Sequence, residues 1–168
     1  MFSAMLTLGQ LIPPLTARAA DGRTVRAWDF KQKRNLVIVF LHAGCWRCEE
    51  YLARLAARAR EWSEHNAVVL AIFAEMPPAI VTDALPAPVL AAADVSGRAH
   101  RAFLGEASMG PSGPVRVGAF VTDRFGELCA QWAGKEAAEL PPAEELLGWL
   151  SQIEVACEEC GVSHWGEP

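Results

Sequence analysis

The 168-residue chain carries 15 Lys and Arg against 20 Asp and Glu, a net charge of −5, which argues against nucleic acid as a partner. Its composition, 52% apolar and only 21% charged, excludes disorder and is enough for one domain with a substantial core. No apolar run reaches the length of a membrane span, so no membrane partner is expected.

The first residues, 1–12, are mildly apolar, and Ala17-Arg18-Ala19 resembles a small-residue cleavage site. No Lys or Arg precedes the apolar stretch, however, and Gly9, Pro13 and Pro14 interrupt it. The segment therefore reads as mature protein and the chain as cytoplasmic. In that compartment a Cys-X-X-Cys is more often catalytic or metal-binding than structural. Residues 15–20 and 24–28 flank the turn signal Ala20-Asp21-Gly22-Arg23 and predict a small hairpin.

Residues 36–41, Leu-Val-Ile-Val-Phe-Leu, form an unbroken apolar run that predicts a strand buried on both faces. His42, Ala43 and Gly44 lead to Cys45-Trp46-Arg47-Cys48. Behind them Cys48, Tyr51, Leu52, Leu55, Ala59 and Trp62 recur at steps of three and four, predicting one amphipathic helix. Glu50, Arg54, Arg58, Glu61 and Glu64 take its other face. The two cysteines thus sit where a buried strand gives way to a helix, whose unpaired N–H groups and positive dipole end favour a thiolate. One helical turn brings their sulfurs within bonding reach, Cys45 as the exposed attacking thiol and Cys48 as the deeper, resolving one. An inert buried pair or half of a metal site is the alternative. The agreement of strand, helix and spacing favours redox chemistry.

Residues 67–73 predict a second buried strand, and strand–helix–strand makes a βαβ unit with parallel strands. Pro77 and Pro78 open a short helix to about Leu85, residues 88–92 a short strand, and a helix begins near Asp94 or Ser96 and ends at Gly105. Residues 109–114 read as a rigid loop. Residues 115–122 and 127–132 flank Asp123-Arg124-Phe125-Gly126 as an antiparallel hairpin. Pro141 and Pro142 open the last helix, with Leu146, Leu150, Ile153 and Cys157 on one face. The expected fold class is α/β, a central mixed β-sheet flanked by helices with an N-terminal hairpin, over residues 1–157, followed by a Cys/His-containing tail at 158–168.

This order of elements resembles the thioredoxin superfamily. It is most similar to the redoxin branch shared by thioredoxin-like disulfide oxidoreductases and peroxiredoxin-like (alkyl hydroperoxide reductase/thiol-specific antioxidant) proteins. The residues carrying the likeness are Gly9 and Pro13 with Asp21-Gly22-Arg23-Thr24-Val25, then Val39-Phe40 five residues before Cys45. Asp94 with Gly97, and Phe120-Val121-Thr122-Asp123 with Gly126, complete them. Thioredoxin-like members place a cis-proline facing the cysteines. Here that position falls near Val117, beside Arg116, so either Pro114 serves from a shifted loop or the cis-proline is absent. Peroxiredoxins carry Pro-x-x-x-Thr-x-x-Cys and an Arg from a later strand. This chain has His42 at the Thr position and no preceding Pro, while Arg116 can supply the Arg.

Individual residues carry paired readings. Arg47 either tunes Cys45 or faces solvent. His42 relays a proton to a leaving thiol or is a strand-end histidine satisfied by backbone, the second being preferred. Trp46 offers a partner an apolar contact or packs on its own loop. Trp28 and Trp62 are expected in the core, and Cys129 as a small buried hydrophobe.

Cys157, Cys160 and His164 form a second cluster. The likeness implies a terminal helix that starts on the active-site side and runs away from it, so sixteen residues would place Cys157 about 24 Å down its axis, which disfavours a joint four-thiolate site. A local zinc site, a tail disulfide or second redox pair between protomers, and an inert tail turn all stay open.

The leading reading is a thiol–disulfide oxidoreductase needing no metal or organic cofactor. Its rivals are a peroxiredoxin-like thiol peroxidase with Cys45 peroxidatic, and a non-enzymatic zinc-binding or interaction module. The partners implied are a protein or small-molecule disulfide, or a hydroperoxide, together with a thiol electron donor. A homodimer is one assembly these readings allow.

Overall fold

The computed structural model describes residues 6–165, with side chains described as far as residue 156. Its spine is β3 (Asn35–Phe40), whose six residues are all buried. Val37 and Val39 point into one core with Leu52, Leu55 and Trp62. Leu36, Ile38 and Phe40 point into another with Phe103, Leu104 and Phe120. Two buried faces explain why the strand reads as a continuous apolar run instead of an alternating one.

Around it lie β1 (Thr16–Ala19), β2 (Thr24–Arg26), β4 (Ala67–Phe73), β5 (Val89–Ala93), β8 (Val117–Thr122) and β9 (Leu128–Gly134). The order across the sheet is β2-β1-β5-β4-β3-β8-β9. β3 pairs parallel with β4 and antiparallel with β8, so the sheet is mixed, as expected. The 109–114 segment, expected as an irregular loop, closes a two-stranded ribbon of β6 (Met109–Gly110) and β7 (Gly113–Pro114).

The helices are α1 (Trp46–Ala56), α2 (Ala59–Glu64), α3 (Ala79–Thr82), α4 (Arg98–Leu104) and α5 (Ala143–Trp165). α1 and α2 correct the expectation of one continuous helix. Helix α1 stops at Ala57, and Arg58 takes φ −104° and ψ 21°. The break lets Trp62 bury fully and donate its indole N–H to the Leu55 carbonyl at 2.7 Å. Arg58 is pinned by Glu61 and by Glu144 of α5, each at 2.6 Å. A straight helix keeps the 3.6-residue period that sequence periodicity reports, so a kink at a polar position leaves no trace in the pattern.

The last helix also runs on to Trp165, eight residues past its expected end. Cys157, Cys160 and His164, for which a zinc site, a disulfide or second redox pair and an inert turn stay open, lie outside the described side chains. Among the described residues, no helix is long and apolar enough to cross a membrane.

Two further expectations change, and one open alternative closes. Trp28 is 71% exposed instead of in the core: β2 ends at Arg26, and the 3-10 turn Ala27–Phe30 buries Ala27 and turns Trp28 outward. Cys129 is half-buried, because a β-bulge between Val121 and Thr122 lets its neighbours Leu128 and Ala130 take the buried places. Of the two alternatives for the cis-proline, Pro114 does not serve: neither it nor a residue near Val117 follows a cis bond. Among the described residues the cis bond is Ala87–Pro88.

β8 has no room at Gly118. An added Cβ would lie 2.5 Å from Leu104 Cδ2 and 3.2 Å from the Trp132 carbonyl oxygen. Gly118→Ala is therefore expected to lower stability by roughly 1–3 kcal/mol through overpacking, read as a lower urea midpoint at unchanged slope.

Candidate active site

β3 ends at Phe40, and the Leu41 N–H still reaches the Ile72 carbonyl of β4 at 3.0 Å. The chain then turns through His42, Ala43 and Gly44. Gly44 adopts φ +72°, a left-handed conformation open to glycine at little cost. Cys45 follows as the N-cap of α1, in extended conformation, its Sγ accepting the Cys48 N–H at 3.4 Å. A side chain at this position ordinarily supplies an oxygen to an orphan helix N–H; here sulfur takes that place. A thiolate accepts such a bond better than a thiol, and it faces the positive end of the helix dipole.

Cys48 lies one turn deeper and is 1% exposed. Its Sγ accepts the His42 backbone N–H at 3.4 Å. Burial pushes the Cys48 thiol up to about 12, and the neighbouring Cys45 sulfur and Glu49 carboxylate add to the rise against the opposing His42 hydrogen bond. With Cys45 partly exposed, the two sulfurs are chemically unequal. Cys45 can be reached from solvent, while Cys48 holds its proton until something beside it changes.

Trypsin would cut after Arg47 and separate the two cysteines into different peptides. Brief iodoacetamide treatment of the reduced native protein at pH 7 is expected to label the Cys45 peptide and leave the Cys48 peptide unlabelled. Mass spectrometry reads the result directly. Equal labelling of both would contradict the asymmetry.

The surrounding side chains are more committed than their spacing implied. His42 Nε2 lies 3.2 Å from the Arg116 carbonyl oxygen, so it is the nitrogen bearing the proton. This is the backbone-satisfied arrangement, and it ties the cysteine loop to the start of β8. The Arg116 guanidinium donates to the Leu104 carbonyl at the end of α4, at 3.0 Å, where a helix C-terminus favours a cation. Val117 is fully buried and pairs with Gly134. Arg47 reaches Glu136 at 3.5 Å and passes 5.4 Å from the Trp46 ring centre. Trp46 itself is 66% exposed at the rim of the pair. Arg47 and Glu136 are both more than half exposed, so breaking the pair with Glu136→Gln is expected to cost under about 0.5 kcal/mol.

The sequence reading missed two participants. The His42 backbone N–H carries no side-chain signal, and Glu136 is distant in sequence. The buried pair of Asp94 and His100 was also missed as a pair: Asp94 entered as a helix start and, with Gly97, as part of the family likeness, and His100 not at all. Among the described residues no group of three His, Cys, Asp or Glu is placed to hold a metal ion.

Residues 8–128 match the AhpC/TSA family. The chain belongs to that family. It is accordingly a thiol-dependent oxidoreductase of the thioredoxin superfamily. No curated protein matches it in sequence. Solved structures share its fold at low identity. The reduced 2-Cys peroxiredoxin of Plasmodium vivax is 13% identical at a TM-score of 0.73, covering 90% of this chain and 98% of that one. The peroxidoxin BcpB of Mycobacterium tuberculosis is 18% identical at 0.73, covering 89% and 99%. A putative thiol:disulfide interchange protein DsbE of Chlorobium tepidum is 20% identical at 0.63, covering 90% and 97%.

Proposed function

We propose that this member of the family is a thiol–disulfide oxidoreductase working through Cys45 and Cys48. The observation that carries the reading is the stacked pair itself, Cys45 capping α1 through the Cys48 N–H with Cys48 buried beneath it, where burial favours the thiol over the thiolate. The Cys45 thiolate attacks one sulfur of a substrate disulfide; the new S–S bond forms as the old one breaks and its other sulfur leaves as a thiolate. Cys48 then loses its proton to that thiolate and attacks Cys45. This releases the second substrate sulfur and leaves an intramolecular Cys45–Cys48 disulfide. A dithiol donor returns the pair to the reduced state. The two sulfurs suffice, with no metal or organic cofactor, in a reducing compartment such as the cytoplasm. Trp46 supplies an apolar contact for the substrate, and His42 and Arg116 hold the loop in place.

Family membership favours a second reading, a thiol peroxidase. There the Cys45 thiolate takes the distal oxygen of a hydroperoxide, giving the alcohol and Cys45 sulfenic acid. Cys48 condenses with the sulfenic acid to the same disulfide, losing water.

Parallel assays separate the two. Purified protein with a dithiol donor is given a mixed aromatic disulfide, an insulin-type protein disulfide, hydrogen peroxide and an alkyl hydroperoxide. The disulfide reading expects kcat/KM for at least one disulfide to exceed that for either peroxide. The reverse order would replace it with the peroxidase.

A further inference from the structure

At the end of β3 remote from the cysteines, the surface bears an apolar groove that the thiol chemistry does not use. Its cavity measures about 280 Å³ and is lined mainly by Leu11, Pro14, Trp28, Phe30, Leu36 and Phe125. Leu36 and Phe40 are separated by four residues of strand, about 13 Å, so the groove is on the order of 20 Å from Cys45. Three large apolar side chains are exposed together here: Trp28 at 71%, Leu11 at 64% and Phe125 at 44%. Exposed apolar side chains gathered in this way mark an interaction site more often than surface left over from folding.

The rim is cationic although the chain as a whole is acidic. Lys31 stands 4.4 Å from the Trp28 ring centre and Arg124 4.9 Å from that of Phe125, and Arg26 and Arg34 complete the lining. Among the described residues, no carboxylate forms an ion pair with any of these four. Against these four cations the lining carries one acid, Asp123. Asp123 Oδ1 accepts the N–H groups of Phe125 and Glu127, and Asp29 Oδ2 accepts the Arg26 N–H.

The walls are fixed to one another through the backbone. Ile12 N–H bonds Gly126 O at 2.9 Å, Ala27 N–H bonds Leu15 O at 3.1 Å, and Gln32 N–H bonds Arg124 O. Preformed walls spare a ligand the entropy of ordering them. They also consume the main-chain groups that an extended peptide would need for strand addition. At about 280 Å³ the cavity has room for an alkyl body of medium length.

We infer that this groove binds a medium-chain carboxylate, its alkyl body lying along Trp28 and Phe125 and its carboxylate held by the cationic rim of Lys31, Arg34 and Arg124. The site is independent of the thiol reading.

Isothermal titration of the full-length protein with decanoate tests it, with decyltrimethylammonium and butyrate as charge and chain-length controls. Saturable one-to-one binding of decanoate is expected, at least tenfold tighter than either control. Trp28→Ala and Arg34→Glu change exposed residues, and each is expected to weaken decanoate binding at least tenfold, with circular dichroism unchanged. Cys45→Ser is expected to bind decanoate like the parent. The inference is overturned by absent saturable heat, by equal binding of the cationic amphiphile, or by unchanged affinity in both variants. Self-association lost in Trp28→Ala, and unaffected by decanoate in sedimentation, would assign the face to a second copy instead and overturn it too.

Discussion

Cys45→Ser is expected to reduce turnover on the best substrate by about 10³-fold or more, because serine supplies no comparable nucleophile near neutral pH. Cys48→Ser is expected to behave differently. The first attack survives, since Cys45 keeps its N-cap position and the bond it makes is to the backbone N–H of residue 48, which serine retains. Resolution fails, so a covalent Cys45–substrate adduct accumulates and appears in intact mass spectra without reductant. Removing both thiols should cost no more than removing Cys45 alone, because the two act in sequence on one bond. A Cys45→Ser protein with residual turnover within tenfold of the parent would move the reaction to another cysteine. Absence of any adduct with Cys48→Ser, under conditions where the parent turns over, would refute the assigned order of attack.

The second large effect is on stability. Asp94 is 3% exposed and His100 fully buried. Asp94 Oδ2 accepts both the backbone N–H and the ring Nδ1–H of His100, each at 2.9 Å, while Oδ1 accepts the Ser96 hydroxyl. Burial pushes the Asp94 carboxyl up, but the hydrogen bonds and charge of His100 outweigh it and the net displacement is downward from 3.8. His100 packs edge-on against Phe40 at 5.0 Å, within the aromatic cluster under the sheet, so no water can readily replace the lost carboxylate. Asp94→Ala is expected to cost about 3–5 kcal/mol at pH 7, because it leaves two buried His100 donors without their acceptor. That corresponds to a melting point lower by roughly 10 °C in a domain of this size.

The direction of the shift also sets the pH dependence. A carboxyl with its native value below its unfolded value stabilises the fold fully well above pH 3.8. The contribution fades as pH falls through 3.8 toward the lowered native value. The gap between parent and Asp94→Ala should therefore narrow in urea titrations from pH 6 to pH 3. A gap that holds constant across that range would mean Asp94 acts only by filling space.

What could be read from residues alone follows from how each element makes its signal. The buried run at 36–41, the parallel strand at 67–73 and the hairpin around Asp123 announce themselves, since burial on one face or two leaves a pattern in consecutive residues. The cysteine pair was legible for the same reason. A strand end, a Gly44 turn and a helix start are all local, and Cys45 does cap α1. Trp28 was misjudged because hydrophobicity states a preference, while burial depends on where β2 stops. The α1–α2 break was invisible because it is stabilised by Arg58 reaching Glu144, 86 residues away.

The sequence by itself thus determined the α/β class, the succession of strands and helices along the chain with the parallel pairing of the two central strands, and the two thiols at a helix N-terminus, all consequences of short-range periodicity and chain direction. Tertiary structure alone decided the rest. It set the depth of Cys48, the His42 link to Arg116, the pairing of Asp94 with His100, and a groove assembled from residues near 12, 28 and 125. Such contacts depend on which segments the sheet brings side by side, and energies between segments far apart in the chain leave no local pattern to read.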